Sequence, residues 1–145
     1  MEKILMLLIE DDRNDILLIK HALKKAQINI LMEIYEDGET AISNLRELAE
    51  NRLRAAAVRP AFILLDLKIP RISGFEVLRW IRSHPDMWSI PVIVFSSSNQ
   101  STDIQQAYQL GANSYLVKPV EFEALSRIIA LLVQYWGRMN EMVPS

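Results

Sequence analysis

Cysteine is absent from this chain of 145 residues, which excludes disulfide bracing, thiolate nucleophiles and cysteine-based zinc sites. A reducing compartment is compatible with that lack. Long hydrophobic runs are missing as well. The N-terminal apolar stretch Ile4–Ile9 has six residues, against the roughly 20 needed to cross a bilayer. It runs into acids rather than a small-residue cleavage site, so neither a membrane span nor a signal peptide is expected and the chain is expected to be cytoplasmic. There is no excess of charge of one sign either: 16 Lys and Arg face 18 Asp and Glu, a net charge of −2. The basic patch or high pI that marks a nucleic-acid surface is therefore lacking. Internal repeats and low-complexity segments are also absent.

What is present is a composition of ordinary globular type, half apolar and about a quarter charged, in a length that fits one domain with a sizeable core. Short apolar runs alternate with helical patterns along the chain, the mark of a parallel sheet covered on both faces. Five strands are expected at Ile4–Ile9, Ile30–Tyr35, Phe62–Leu65, Val92–Phe95 and Tyr115–Val117. The first, third and fourth are nearly continuous apolar runs, as strands buried on both faces require. Helices are expected over Asn14–Ala26, with Ile16, Ile19 and Leu23 inward, Leu17 and Leu18 widening the stripe, and Asp12 as cap. Others are expected from Gly38 to about Ala56 (Ala41, Leu45, Leu48, Leu53), over Gly74–Ser83 (Phe75, Leu78, then Ile81 or Arg82), over Ser101–Leu110 (Ile104, Ala107, Tyr108) and over Phe122–Trp136 (Leu125, Ile128, Ile129, Leu132). Residues 1–136 then form the domain and 137–145 a short loose tail.

Chemistry-bearing residues follow the strands. Glu10-Asp11-Asp12 follows the first, Asp66 the third, Ser96-Ser97-Ser98-Asn99 the fourth and Lys118-Pro119 the fifth. In the commonest five-stranded order, 2-1-3-4-5, the first and third strands are neighbours, and ligands bind outside the carboxyl edge at the switch point. Glu10, Asp11 and Asp66 would then crowd together. Two like charges ~4 Å apart repel by roughly 4 kcal/mol at an effective dielectric of 20, so the cluster must raise a pKa or recruit a cation. Mg2+ suits such a place, since it takes one or two carboxylates, waters and phosphate oxygens. Lys118 would supply a point charge to a carboxylate or a phosphoryl group. The adjoining prolyl bond could be cis, which would aim the lysine inward. Alternatively, each feature has a plain reading: Asp66 as a turn residue, the acidic run as helix capping, the serines as a loop opening, Lys118 as a surface lysine. Neither His21 nor His84 lies at a strand end, which argues against a Ser–His–acid device.

With these motifs in place, the chain resembles the receiver domain of bacterial two-component response regulators from end to end. The resemblance rests on Glu10-Asp11-Asp12, Leu65-Asp66-Leu67 with Pro70 and Gly74, Pro91 through Ser96, Gly111-Ala112, and Tyr115 with Lys118-Pro119. It implies an α/β, flavodoxin-like doubly wound (βα)5 fold with a five-stranded parallel sheet. It also implies that Asp66 accepts a phosphoryl group from the phosphohistidine of a histidine kinase. Mg2+ would be held by Glu10, Asp11, Asp66 and the backbone carbonyl of Lys68. Lys118 would pair with the phosphoryl group, Ser96 and Tyr115 would form the switch, and Lys68 and Ser98 would tune the phosphoryl lifetime. The output would pass through the face built from the fourth helix, fifth strand and fifth helix, to a kinase, a phosphotransfer protein or a second copy in a homodimer. The segment before Pro60 and the closing Tyr135-Trp136 are similar to stand-alone receivers that serve phytochrome-type kinases of cyanobacteria. No DNA-binding module fits in the short tail.

Three other readings compete. A haloacid dehalogenase-type phosphatase also uses a strand-end aspartate, but it places a second aspartate two residues later, where this chain has Lys68. A flavodoxin-like electron carrier would need a phosphate loop after the first strand, where Glu10-Asp11-Asp12 would repel a phosphate. A degenerate receiver acting as a constitutive binding module would show a broken pocket, whereas every polar role here is filled.

Overall fold

The computed structural model describes residues 4–51 and 59–144. Its elements run β1 (Ile4–Ile9), α1 (Arg13–Lys25), β2 (Ile30–Tyr35), α2 (Gly38–Asn51), β3 (Phe62–Leu65), α3 (Gly74–Ser83), β4 (Val92–Ser96), α4 (Ser101–Gln109), β5 (Ser114–Val117) and α5 (Phe122–Gln134). The five strands form one parallel sheet in the order β2-β1-β3-β4-β5, the flavodoxin-like order implied by the resemblance. β1, β2, β3 and the helix α3 have the bounds expected from the sequence. β4 extends one residue further, to Ser96, and β5 begins one residue earlier, at Ser114.

The period of two along a strand divides the core. Leu5, Leu7, Ile9, Ile63 and Leu65 face a layer with Ala41, Leu45, Val77, Leu78 and Ile81 of α2 and α3. Met6, Leu8, Phe62, Leu64, Ile93 and Phe95 face α1 and α5 through Ile16, Ile19, Leu23, Leu125, Ile129 and Val133. Alternate residues point to opposite faces, and β1 and β3 bury both sets, which explains their continuous apolar runs. β2 lies at the sheet edge, so its burial alternates and its sequence signal is weaker.

Several expectations need correction. Leu17 lies on the exposed side of α1, and Tyr108 is exposed on α4, because each helix meets the sheet along a narrower stripe than the apolar residues span. Both Ile81 and Arg82 turn from solvent. Ile81 enters the core, while the Arg82 guanidinium donates to the carbonyls of Gly111, Trp88 and Ile90 and to Asn113 Oδ1 at 2.7–2.9 Å. Helix α5 passes directly into a π-helical turn, Tyr135–Met139. Gly137, which opens the expected tail, therefore still belongs to helical structure, where it packs beside Ile4. The expected continuation of α2 through Leu53 to about Ala56 lies outside the described residues.

Candidate functional site

The parallel ladder carries the side chains after β1, β3, β4 and β5 to one edge. Beyond the strand ends the backbone pairing continues, with Asp66 N donating to Ile9 O at 3.0 Å and Lys118 N to Ser96 O at 2.8 Å. Glu10, Asp66, Ser96 and Lys118 are thus held at adjoining levels of the sheet. Glu10 is 1% and Asp66 8% exposed, and Ser96 and Ser98 are buried. The structure also brings Asp11 into this group: carboxylate oxygens of Glu10, Asp11 and Asp66 lie within 4.8 Å of one another.

The Lys118 ammonium lies among the carboxylates, 2.5 Å from Glu10 Oε1, 2.7 Å from Asp15 Oδ2 and 3.1 Å from Asp66 Oδ2. Its side chain is only 9% exposed. The prolyl bond, which the sequence left open between cis and trans, is trans, since no cis peptide bond occurs among the described residues. The inward aim has another cause, since the β5 ladder fixes the backbone and three carboxylates attract the ammonium. Burial alone would lower the Lys118 pKa. Hydrogen bonds to Asp15 and then Glu10, with the charges of Asp66 and Glu10, reverse this and hold it above the ordinary lysine range.

Glu10 is a weaker acid here than in water. Burial pushes its carboxyl up to about 8, against the pull of Lys118, and the Asp66 charge pushes the same way. Its ordinary value is 4.5. The folded, cation-free protein therefore holds this proton over a range where the unfolded chain has released it. The corresponding stability is full below about 4.5 and is lost as pH rises through about 8. Unfolding measured in chelator across that window is expected to show declining stability, with the decline flattened by Glu10→Gln. A slope unchanged by that substitution would assign the proton elsewhere.

Asp66 Oδ1 accepts from the Leu67 N–H at 2.8 Å, which orients the carboxylate at the start of its loop. The loop is pressed against the first turn of α3, where Gly74 N donates to Leu67 O at 2.9 Å. A Cβ at Gly74 would lie 2.2 Å from the Asp66 carbonyl oxygen and 2.6 Å from Leu67 Cα. These are backbone atoms with no room to yield. Gly74→Ala is expected to destabilise the fold by roughly 1–3 kcal/mol or more through overpacking; urea unfolding at wild-type stability would contradict it.

On the other side of the site, Ser96 Oγ accepts from Ser98 N at 3.2 Å, Ser98 Oγ donates to Asp103 Oδ2 at 2.6 Å, and the Tyr115 hydroxyl donates to Ser98 O at 2.8 Å. Tyr115 is half-buried and packs against Leu67, Val94 and Ala107. The four residues join β4, α4 and β5. Ser97 is exposed, as is the Lys68 side chain. His21 and His84 contribute nothing to the site: His21 is exposed on α1 and His84 caps the end of α3.

Asp15 and Asp103 were not among the residues singled out from the sequence. Asp12 is the expected cap, accepting from Asn14 N and Asp15 N. Asp15 is thus the third residue of α1, and helical Cα–Cβ bonds tilt toward the N-terminus. That tilt returns its carboxylate to the strand edge, and an acid three residues after a strand-end cap is the signal that would have revealed it.

The carboxylate group offers oxygen ligands only, the donor set of a hard divalent cation, and burial together with the Asp66 charge disfavours the ionised form of Glu10, a cost that a bound cation offsets. The residues therefore fit Mg2+ or Mn2+.

Among known proteins, the family model of the response regulator receiver domain matches residues 6–130. The probable methanogenesis regulatory protein FilR2 of Methanothrix harundinacea is 35% identical over 94% of this chain and 85% of its own length. Response regulator Rcp1 of Synechocystis sp. is 34% identical over 90% of this chain and 87% of its own. The solved Mn2+-bound form of Rcp1 superposes with a TM-score of 0.82 at 31% identity, covering 97% of this chain and 99% of that one. The phosphorylated cyanobacterial phytochrome response regulator RcpA superposes at 0.86 with 35% identity, covering 99% and 100%.

Proposed function

Because the chain belongs to the response regulator receiver family, we propose that it is a phosphorylation-controlled signalling switch whose acceptor is Asp66. The observation that carries this reading is the convergence on Asp66 of one ammonium and two further carboxylates at a single sheet edge. In the reaction, an Asp66 carboxylate oxygen attacks the phosphorus of a phosphohistidine. The new O–P bond makes an acyl phosphate, the P–N bond breaks, and the imidazole leaves. An ionised carboxylate needs no general base, so positioning and charge carry the catalysis.

Glu10, Asp11, Asp66 and the Lys68 carbonyl would hold Mg2+, which when bound neutralises charge on the transferring group. The Leu67 N–H fixes the orientation of Asp66, and Lys118 supplies a donor and a positive charge at the phosphoryl position. Slow hydrolysis at Asp66, tuned by Lys68 and Ser98, would reset the protein. Its chemistry is otherwise that of a switch rather than of an enzyme with a turnover substrate.

Signal output would use Ser96 and Tyr115. Ser96 Oγ and the Tyr115 hydroxyl meet the same residue, Ser98, at its N–H and its carbonyl. A pull on the serine hydroxyl by a phosphoryl oxygen would therefore be felt at the tyrosine, biasing two states of the α4-β5-α5 face. Tyr108, Val117 and Val120 expose apolar surface there, suited to a protein partner or a second copy. The donor would be a histidine kinase, with a phytochrome-type kinase favoured by the likeness to Rcp1 and RcpA, and a phosphotransfer protein is a further candidate partner. Among the described residues no helix is long and apolar enough to cross a membrane, which accords with a cytoplasmic place.

Intact-mass measurement after incubation with acetyl phosphate and Mg2+ tests the reading. The expected product carries one phosphoryl group, lost again on incubation without donor. Protein that gains no mass under these conditions would contradict it.

A further inference from the structure

The resting site gives all three N–H groups of the Lys118 ammonium to carboxylates, one each to Glu10, Asp15 and Asp66. Two of these acceptors have a second role. Glu10 and Asp66 belong to the carboxylate group that fits a divalent cation, and Asp66 is also the proposed nucleophile. Asp15 lies outside that group and comes from a different element, the first turn of α1, where its own N–H is tied to the Asp12 cap at 3.2 Å. Its side chain is 24% exposed against 9% for Lys118, so it approaches the ammonium from the solvent side of the site.

We propose that Asp15 is a positioning residue for Lys118: it holds one ammonium N–H by a contact that is independent of the cation ligands, and so keeps the lysine aimed at Asp66 while Glu10 and Asp66 give their oxygens to a divalent cation. This rests on the receiver reading of the site and adds to it a residue that the acceptor, cation and switch roles do not include. The competition has a definite sign. Without the Asp15 charge, the Lys118 ammonium bears more strongly on Glu10 and Asp66, the same oxygens a cation needs. A plain helix-end acid, in contrast, would affect only helix stability through the dipole at the N-terminus of α1.

The test compares wild type, Asp15→Asn, Asp15→Glu and Asp12→Asn. Asparagine is nearly isosteric with aspartate, and at position 12 it remains a good cap, so Asp12→Asn removes one charge from the same turn without touching Lys118. Mn2+ affinity is read by electron paramagnetic resonance. The Lys118 ammonium is followed by its 1H–15N signal, slowed in exchange by its hydrogen bonds, and phosphorylation by acetyl phosphate is timed at saturating Mn2+.

Asp15→Asn is expected to weaken Mn2+ binding by about tenfold, the scale of an outer contact that orients a metal site. It should also broaden the ammonium signal and slow phosphorylation at saturating cation. Asp15→Glu should recover most of each loss, and Asp12→Asn should change the affinity far less. If Asp15→Asn keeps wild-type affinity and signal, or Asp12→Asn weakens binding equally, the inference is overturned while the receiver reading stands. A wild-type protein that binds no Mn2+ and takes no phosphoryl group overturns both.

Discussion

Asp66→Asn is expected to abolish phosphoryl acceptance altogether, with no mass gain under conditions that load the wild type with one phosphoryl group. The substitution preserves shape. An amide oxygen can still accept from the Leu67 N–H, which now meets Asp66 Oδ1 at 2.8 Å, so the loop geometry should survive. What disappears is the negative oxygen that would form the O–P bond in the proposed reaction, together with one member of the carboxylate group. Stability should change little, because the loss of the 3.1 Å contact with Lys118 is offset by removing a charge from a buried place. The outcome separates a chemical role from a structural one: a folded protein with the melting behaviour of the wild type and no phosphorylation. Mass gain retained by Asp66→Asn would move the acceptor to another carboxylate and remove the basis of the proposed function.

Lys118→Met is expected to act on stability and chemistry together. Removing the ammonium leaves Glu10, Asp15 and Asp66 facing one another at a mostly buried place. Deleting one partner of a buried charge cluster costs about 3–5 kcal/mol, since the remaining charges keep their desolvation penalty and lose their compensation. Part of this is recovered when a carboxyl takes up a proton, so the deficit should be greatest in chelator at pH above about 8, where Glu10 has lost its proton in the wild type. Added Mn2+ should restore much of it, because a ligand that binds the folded form shifts the unfolding equilibrium by mass action. With no ammonium competing for Glu10 and Asp66, cation binding should become tighter than in the wild type. Phosphoryl transfer should nevertheless fall by about 10²–10³-fold, the usual cost of deleting a donor aimed at developing charge. Unfolding curves with and without Mn2+, alongside phosphorylation rates, check the combination. Wild-type stability in chelator would show that Lys118 does not compensate the cluster.

The two substitutions probe the same few ångströms, and only the loss of Lys118 is expected to cost stability. Asp66 adds a charge to a site that already has too many, whereas Lys118 is what lets those charges remain in the fold. The same imbalance adds to the burial that raises Glu10 and explains why a divalent cation fits. One ammonium does not balance the charge of the three carboxylates gathered around it.

Much of this was legible in the sequence. Continuous apolar runs at Ile4–Ile9 and Phe62–Leu65 marked strands buried on both faces, because each face of the central sheet meets its own layer of helices. The acids after β1, the aspartate after β3 and the lysine after β5 were recognisable because parallel strands bring equivalent ends to one edge. The apolar stripes of α1 and α4 were read too widely at Leu17 and Tyr108, since periodicity gives the direction of a helix face but not the width of its contact.

The sequence by itself determined the architecture and the chemistry at the strand ends: which segments pair, where the carboxylates and the ammonium emerge, and hence what the site can hold. Only the tertiary structure decided how those groups share one another. The third carboxylate on Lys118 comes from a helix rather than from a strand end, Ser98 in the loop after β4 joins Asp103 of α4 to Tyr115 of β5, and the lysine turns inward with its prolyl bond trans. Patterning records which face a residue occupies, but a hydrogen bond between residues 103 positions apart depends on distances that packing alone fixes.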